Sequence, residues 1–342
     1  SAMSITMINI EANYREKGKS LSLRNETSTS LAPLTELRAI SELPNTYYHA
    51  AASQNTRKAY QADIRHFEQS GGPLPAKTDD ILRYLHTFAP QLNPRTLSRR
   101  LTAIKHWHVY QNFDDPTNSP LVRKTLQGIT NTHGKPKEKA SPLLPEELRQ
   151  LATHLSQIDS LIAARDNALL QLGYFGAFRR SELIAIQVEH IQRVKDGITI
   201  LIPRSKTDQG GEGQTCAIPY GNSAILCPVR ALDHWLSQSK ITTGPIFRGI
   251  DRWGKLQNNA LTPLSVTLII KRWMKACDLP NAASFSSHSL RRGLATSASY
   301  KGASLTSIMR QGRWKHVNTV LGYIEEGQRF EDNAAAKVMQ DD

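Results

Sequence analysis

The chain has 342 residues, 39% of them hydrophobic, which is enough for two cores and too apolar for a disordered polymer. Lys and Arg number 43 against 30 Asp and Glu, a net charge of +13 that points to a polyanionic partner, nucleic acid ahead of an anionic membrane. No apolar run reaches the ~18–20 residues that span a bilayer, so no membrane partner is expected.

The start, SAMSITMINI, has no basic segment leading into an apolar one, so secretion is not expected, and Ser1-Ala2 ahead of Met3 reads as an expression remnant. Cys216, Cys227 and Cys277 form no CxxC pair, which argues against both a zinc site and a disulfide framework and fits a reducing cytoplasm. His106 and His108 are two apart, a spacing that points helical side chains in different directions, so no metal site is expected there.

Residues 1–45 lack sustained periodicity and read as a flexible tail with at most a short helix near Leu34–Ile40. Residues 46–130 read as all-helical. The first helix follows Asn55-Thr56, with Tyr60, Ile64 and Phe67 on one face, and stops at Gly71-Gly72-Pro73. The second spans Thr78 to Phe88. The third opens at Asn93-Pro94, a cap followed by proline at the first helical position, and buries Leu97, Leu101 and Ile104. A fourth follows Ser119-Pro120, with Val122, Leu126 and Ile129 inward.

Between Thr46 and Ala140 there are 14 Lys/Arg and 7 Asp/Glu. Arg95, Arg99, Arg100 and Lys105 lie mostly off the apolar stripe of the third helix, which carries no anion, and so form a candidate DNA-contacting face. Arg57 and Lys58 extend the candidate surface. Residues 131–141, NTHGKPKEKAS, read as a linker whose Lys135 and Lys137 can follow a phosphate backbone.

From residue 142 to the end the pattern is mixed α/β. Helices are expected at Pro145 onward, Leu161–Tyr174, Pro228–Gln238, Leu264–Cys277, His288–Tyr300, Leu305–Gln311 and Val317–Ile324. Gly197–Pro203 and Gln214–Pro219 read as two strands joined by the glycine-rich RSKTDQGGEG, a mobile hairpin. There is no strand–helix–strand alternation and no GxxxxGK[ST], which argues against a nucleotide-driven motor.

Five segments carry chemistry. FRRSELIAI holds Arg179 and Glu182, an i, i+3 pair that can share a helical face. RSKTD places Lys206 at the hairpin tip. HSLRR places His288 and Arg291 one turn apart. GRW supplies Trp314 and VNTVLGYIEEG supplies Tyr323. Transfer of a phosphodiester needs a nucleophile, charge stabilisation and an acid for the leaving oxygen. Two arginines can fork onto the non-bridging oxygens and replace a metal. A loop lysine can protonate the leaving 5′ oxygen, a histidine can assist proton transfer, and a tyrosine in a cationic pocket can attack. An indole can pack on the nucleophile's helix and donate to phosphate. Tyr300 is the rival nucleophile, only nine residues after Arg291.

These segments, in this order and spacing from Tyr47 to Met339, resemble the tyrosine recombinase/phage integrase family, whose pattern is Arg, Lys, His-x-x-Arg, His or Trp, then Tyr. Tryptophan at 314, nine residues before Tyr323, is closer to the Cre-type pattern than to the Xer or lambda-integrase type. The resemblance implies a mostly α two-domain DNA clamp: an all-helical core-binding domain, then a mainly helical catalytic domain with a small antiparallel sheet. It implies Arg179, Lys206, His288, Arg291, Trp314 and the nucleophile Tyr323 as site residues, with Glu182 orienting the basic cluster. No cofactor and no metal are implied. It further implies a site-specific recombinase acting on an inverted-repeat duplex site through a 3′-phosphotyrosine and a Holliday junction, as a homotetramer in the cytoplasm of a bacterium, with room for an accessory DNA-bending protein. The helix expected at residues 333–339 docks either into a neighbouring subunit or within its own. A type IB topoisomerase-like relaxation and a catalytically silent DNA-binding protein are the alternatives.

Overall fold

The computed structural model describes residues 54–136, 138–203, 213–327 and 334–339. The chain divides into two compact units between Pro136 and Lys137, inside the expected linker. The tail helix expected near residues 34–40, Lys137, and the hairpin tip with Lys206 lie outside the described residues.

The first unit is helical. It contains α1 (Gln54–Gln69), α2 (Thr78–Phe88), α3 (Pro94–Tyr110) and α4 (Pro120–His133), with a 3-10 turn at Pro116–Asn118. Three of these starts have a local cause. The Asp80 carboxylate accepts from the Lys77 amide at 2.9 Å ahead of α2. Asn93 Oδ1 accepts from the Arg95 amide at 2.9 Å, and Ser119 Oγ accepts from the Leu121 amide at 3.3 Å, each with proline next in the helix. Phe67, Ile81, Leu85, Leu97, Ile104 and Val122 are fully buried between the helices. His108 is a core residue: its Nε2 accepts from the Ala76 amide at 2.8 Å, so the proton sits on Nδ1 and is donated to the Ile104 carbonyl, also at 2.8 Å.

The second unit begins with α5 (Pro145–Ser156) and α6 (Leu161–Phe175). From Ala163 to Tyr174 nearly every residue of α6 is buried, and a helix enclosed on all sides belongs at the centre of a fold. After α7 (Arg180–Ala185) come β1 (Ile191–Val194), β2 (Gly197–Ile202) and β3 (Gln214–Pro219), an antiparallel sheet in the order β1-β2-β3. Ile200 of β2 faces Ile191 on one side and Cys216 on the other. Ile198, Ile200 and Ile202 point to the core with the two-residue period of a strand.

Helix α8 (Pro228–Ser239) packs on α6, and a second antiparallel hairpin follows, β4 (Arg248–Ile250) with β5 (Leu256–Ala260). Then come α9 (Pro263–Ala276), α10 (Ser287–Tyr300), α11 (Leu305–Gly312), α12 (Val317–Gly327) and the short α13 (Ala334–Met339). A buried ionic tie holds α6 to α9. The fully buried Asp166 accepts from Arg165 at 2.9 Å, from Trp273 Nε1 at 2.7 Å and from Arg272. A buried carboxylate is tolerable only with such saturation.

Candidate active site

The site grows from the end of α6. The chain leaves α6 through Gly176 and then Ala177, which has a φ of 44°, a left-handed conformation unusual for a residue with a side chain. That turn aims the Gly176 and Ala177 carbonyls at arginines arriving from later segments. Arg291 Nη1 donates to the Ala177 carbonyl. Arg313 donates to Gly176 at 3.1 and 3.2 Å and to Ala177 at 3.4 Å.

Arg179 and Glu182 meet, but not across a helical face. Arg179 is the extended residue before α7, and Glu182 reaches back to it: Oε2 accepts from the Arg179 amide at 3.0 Å, and Oε1 from Arg179 Nη1 at 2.6 Å. Arg313 Nη2 approaches the same Oε2 at 3.2 Å. Burial alone would raise the Glu182 carboxyl; the charge of Arg313 and the hydrogen bonds and charge of Arg179 outweigh it and hold the group below the usual glutamate range.

Arg291 is 5% exposed on the first turns of α10, whose start is capped by Ser286. Its guanidinium carbon lies 4.1 Å from the centre of the Trp314 ring. Its Nη2 is buried with no hydrogen-bond partner among the described residues. Burial, then the neighbouring charge of Arg179, pushes this guanidinium down to about 9, against the pull of Glu182. An arginine does not readily give up its proton, so the shift describes a buried cation short of an anion. A bound phosphate would supply one.

His288, three residues before Arg291, is exposed at the start of α10. Trp314 is 8% exposed and follows directly on the end of α11. Gly312 is required there, because a Cβ on it would fall 1.8 Å from the indole ring. The indole meets the Tyr323 ring edge to face, centroids 6.1 Å apart at 64°. Tyr323 is half-buried on α12; its carbonyl accepts from Thr296 Oγ1 at 3.2 Å, and the Arg292 guanidinium carbon lies 5.3 Å from its ring centre. Arg179, Glu182, Arg291, Trp314 and Tyr323 therefore form one connected cluster.

Arg313 and Arg292 belong to that cluster and were not singled out in the sequence. Arg313 is 8% exposed, although arginine after a helix end ordinarily reads as solvated. Arg292 sits beside Arg291 in HSLRR, and its i+1 position gave no sign that it would reach Tyr323.

In the helical unit, Arg95, Lys58, Lys105 and Lys135 are exposed and Arg57 is half-buried. Arg99 is exposed but forks onto Asp63 of α1 at 2.8 and 2.8 Å. Arg100 is turned inward: its side chain, 12% exposed, donates to Tyr84 at 2.8 Å and lies 3.5 Å from Asp63 and 2.9 Å from His66 Nδ1. The expectation of a helix face with no anion thus holds for α3 alone; α1 supplies one. Lys105 is 3.9 Å from Asp115.

A cluster of buried cations around one carboxylate, with one guanidinium nitrogen left without a hydrogen-bond partner among the described residues, has the charge and the donors to hold an oxyanion. Comparison with known proteins places it more narrowly. Residues 143–329 match the phage integrase family. The integrase/recombinase xerD homolog of Selenomonas ruminantium is 40% identical over 290 residues, 82% of this chain and 84% of the relative. Recombinase cre of Escherichia phage P1 is 25% identical over 285 residues, 78% of this chain and 81% of the relative. The fold is that of the XerH site-specific recombinase bound to a palindromic difH substrate (TM-score 0.58, 18% identity, 82% of this chain and 78% of that one). It is also that of the Tn1549 transposon integrase in complex with circular intermediate DNA (TM-score 0.58, 14% identity, 90% and 97%). The chain belongs to the phage integrase family and is a tyrosine-type site-specific recombinase. The Cre-like tryptophan is a local feature: over comparable lengths, identity to the Selenomonas protein is the higher of the two.

Proposed function

We propose that the protein cuts and rejoins duplex DNA at a specific site through a covalent 3′-phosphotyrosine. The reading is carried by the connection of Arg179 and Arg291 to Tyr323, through Glu182, Arg313, Ala177 and Trp314. The Tyr323 hydroxyl attacks phosphorus; a bond from phosphorus to the phenolic oxygen forms, and the bond to the 5′ oxygen breaks. The phenol's proton leaves with the assistance of His288. The 5′ oxygen takes a proton from Lys206 and departs as a hydroxyl. A 5′ hydroxyl of a partner strand reverses the step and frees Tyr323.

The number of phosphodiester bonds is conserved, so no nucleotide hydrolysis is required. Arg179 and Arg291 supply the positive charge on the non-bridging oxygens. Activity is expected to persist in EDTA, and a metal requirement in the cleavage assay would overturn this part of the scheme.

In the same reading the helical unit is the core-binding domain, and its exposed Arg95, Lys58, Lys105 and Lys135 contact phosphates. The target is an inverted-repeat duplex bound by a homotetramer that passes through a Holliday junction in the cytoplasm. Helix α13, with Val338 and Met339 each 75% exposed, docks on a neighbouring subunit.

Covalent trapping tests the reading. Nicked duplexes with randomised cores are mixed with protein, and only DNA that stays bonded on a denaturing gel is recovered and sequenced. Adducts from the wild type and none from Tyr323→Phe are expected. An adduct formed by Tyr323→Phe would remove the nucleophile assignment, and adduct-free but site-specific binding by the wild type would leave a silent DNA-binding protein.

A further inference from the structure

Arg313 is in an uncommon place for a long cation. It ends α11 in the left-handed conformation, φ 56° and ψ 43°, which residues with a Cβ adopt at a cost and glycine does not. Yet its guanidinium is nearly enclosed, with the side chain 4% exposed and its carbon 4.8 Å from the centre of the Phe178 ring. It donates to the Gln311 carbonyl at 2.8 Å, to Gly176 and Ala177, and to Glu182.

Two of those acceptors are the ones that hold the reacting arginines. The Ala177 carbonyl is shared with Arg291, and Glu182 is shared with Arg179. The sharing of Glu182 has a geometric consequence. A carboxylate beside an arginine ordinarily forks across two of its nitrogens. Here Oε2 is taken up by Arg313 and the Arg179 amide, so only Oε1 meets the Arg179 guanidinium, through one nitrogen. Among the described residues Arg179 makes no other side-chain hydrogen bond, and its side chain keeps 20% exposure.

We propose that Arg313 is a positioning residue that holds Glu182 off the second edge of Arg179, keeping that edge open for the phosphate, while it pins the Trp314 segment to the Gly176–Ala177 turn. Arg313 touches neither Tyr323 nor the reacting edge itself; it acts through Glu182 and through the carbonyl it shares with Arg291. The proposal rests on the assignment of Arg179, Arg291 and Tyr323 to phosphodiester transfer.

The test is single-turnover formation of the covalent adduct on a nicked duplex carrying the recovered site, with DNA affinity and thermal unfolding measured on the same proteins. Arg313→Gly suits the left-handed backbone and removes only the side chain. Adduct formation is expected to slow by about 10–100-fold, the scale of a lost outer partner, with affinity changed by less than about threefold. Arg313→Lys keeps a cation near Glu182 and should recover part of the loss. Glu182→Gln in the Arg313→Gly background removes the over-tight clamp, so the double variant should be no slower than Glu182→Gln alone.

A folded Arg313→Gly protein with the wild-type rate overturns the proposal. So do losses that simply multiply in the double variant, since these describe two independent packing defects. Should Arg313→Gly not fold, Arg313→Asn, which tolerates the left-handed backbone and carries no cation, decides: a wild-type rate rejects the positioning role, and a loss at unchanged affinity supports it. A wild type that forms no adduct removes the recombination reading itself, whereas wild-type adducts with an unaffected Arg313→Gly remove only the role of Arg313.

Discussion

Arg291 rests its guanidinium 4.1 Å from the centre of the Trp314 ring, and Tyr323 meets the same indole edge to face. One aromatic side chain thus sets the positions of the proposed phosphate-binding cation and the proposed nucleophile together.

Trp314→Ala should therefore injure both. Truncating a buried tryptophan costs about 3–5 kcal/mol, and the low end is expected because Trp314 lies in a small satellite cluster with Ala177, Ala295, Ile308 and Val320. Trp314→Phe keeps a ring under Arg291 and should retain most of the stability and a larger share of adduct formation. Urea unfolding and the adduct assay, run on both variants, check this; equal adduct rates for the two would show that the ring is not the platform.

Glu182 predicts a pH dependence. Its folded-state pKa lies below the unfolded value of about 4.3, so its ionised form stabilises the fold fully above that value. The contribution is lost as pH falls from there through the lower folded-state value. Glu182→Gln should be less stable than wild type at pH 7, and the gap should narrow below about pH 4.3. Thermal unfolding of the two proteins across pH 3–7 reads the gap directly, and a gap that widened on acidification would contradict the assignment.

Arg100 and Arg95 should separate stability from DNA contact. Loss of Arg100 leaves the buried Asp63 with Arg99 as its remaining partner, and an effect of about 2–3 kcal/mol is expected, below the ~3–5 of a fully broken buried pair. Arg95→Ala should leave unfolding unchanged while lowering affinity and the salt slope by about one counterion. Salt titrations of binding beside denaturant unfolding distinguish the two; an unstable Arg95→Ala would be the surprise.

Gly293 leaves no room for a side chain. A Cβ there would lie 1.9 Å from the Leu143 carbonyl oxygen, which is backbone and has nowhere to go. Gly293→Ala should destabilise the catalytic unit by at least the ~1–3 kcal/mol of an overpacked core. A melting temperature within a degree of wild type would show that α10 can shift without penalty.

Much of this is legible in the sequence alone. Capping pairs such as Asn93-Pro94 and Ser119-Pro120 located helix starts because they act locally, and periodicity located Leu97, Leu101 and Ile104 in the core. Strand β1 leaves no such mark, since its four residues, IQRV, give too few alternations to count, and in β5 the polar LQNNA shows no apolar period at all. The Asp63–Arg99 pair spans 36 residues and Arg313–Glu182 spans 131, so neither has a local signature. Arg179 and Glu182 were rightly paired by spacing, but the helix begins between them, which made the contact a cap.

The chain entering the second unit does not attach to a remote surface. The Ala140 carbonyl accepts from Arg292, Ser141 donates its amide to Ser284 at 3.1 Å, and Leu143 donates to Ser289 at 3.0 Å. Those anchors stand on or just ahead of α10, and the Arg292 guanidinium that grips Ala140 also lies over the Tyr323 ring. Residues 140–143 are therefore fastened to the helix that carries His288 and Arg291 and to the turn just ahead of it, so one helix serves both as the anchorage of the entering chain and as the seat of the candidate site.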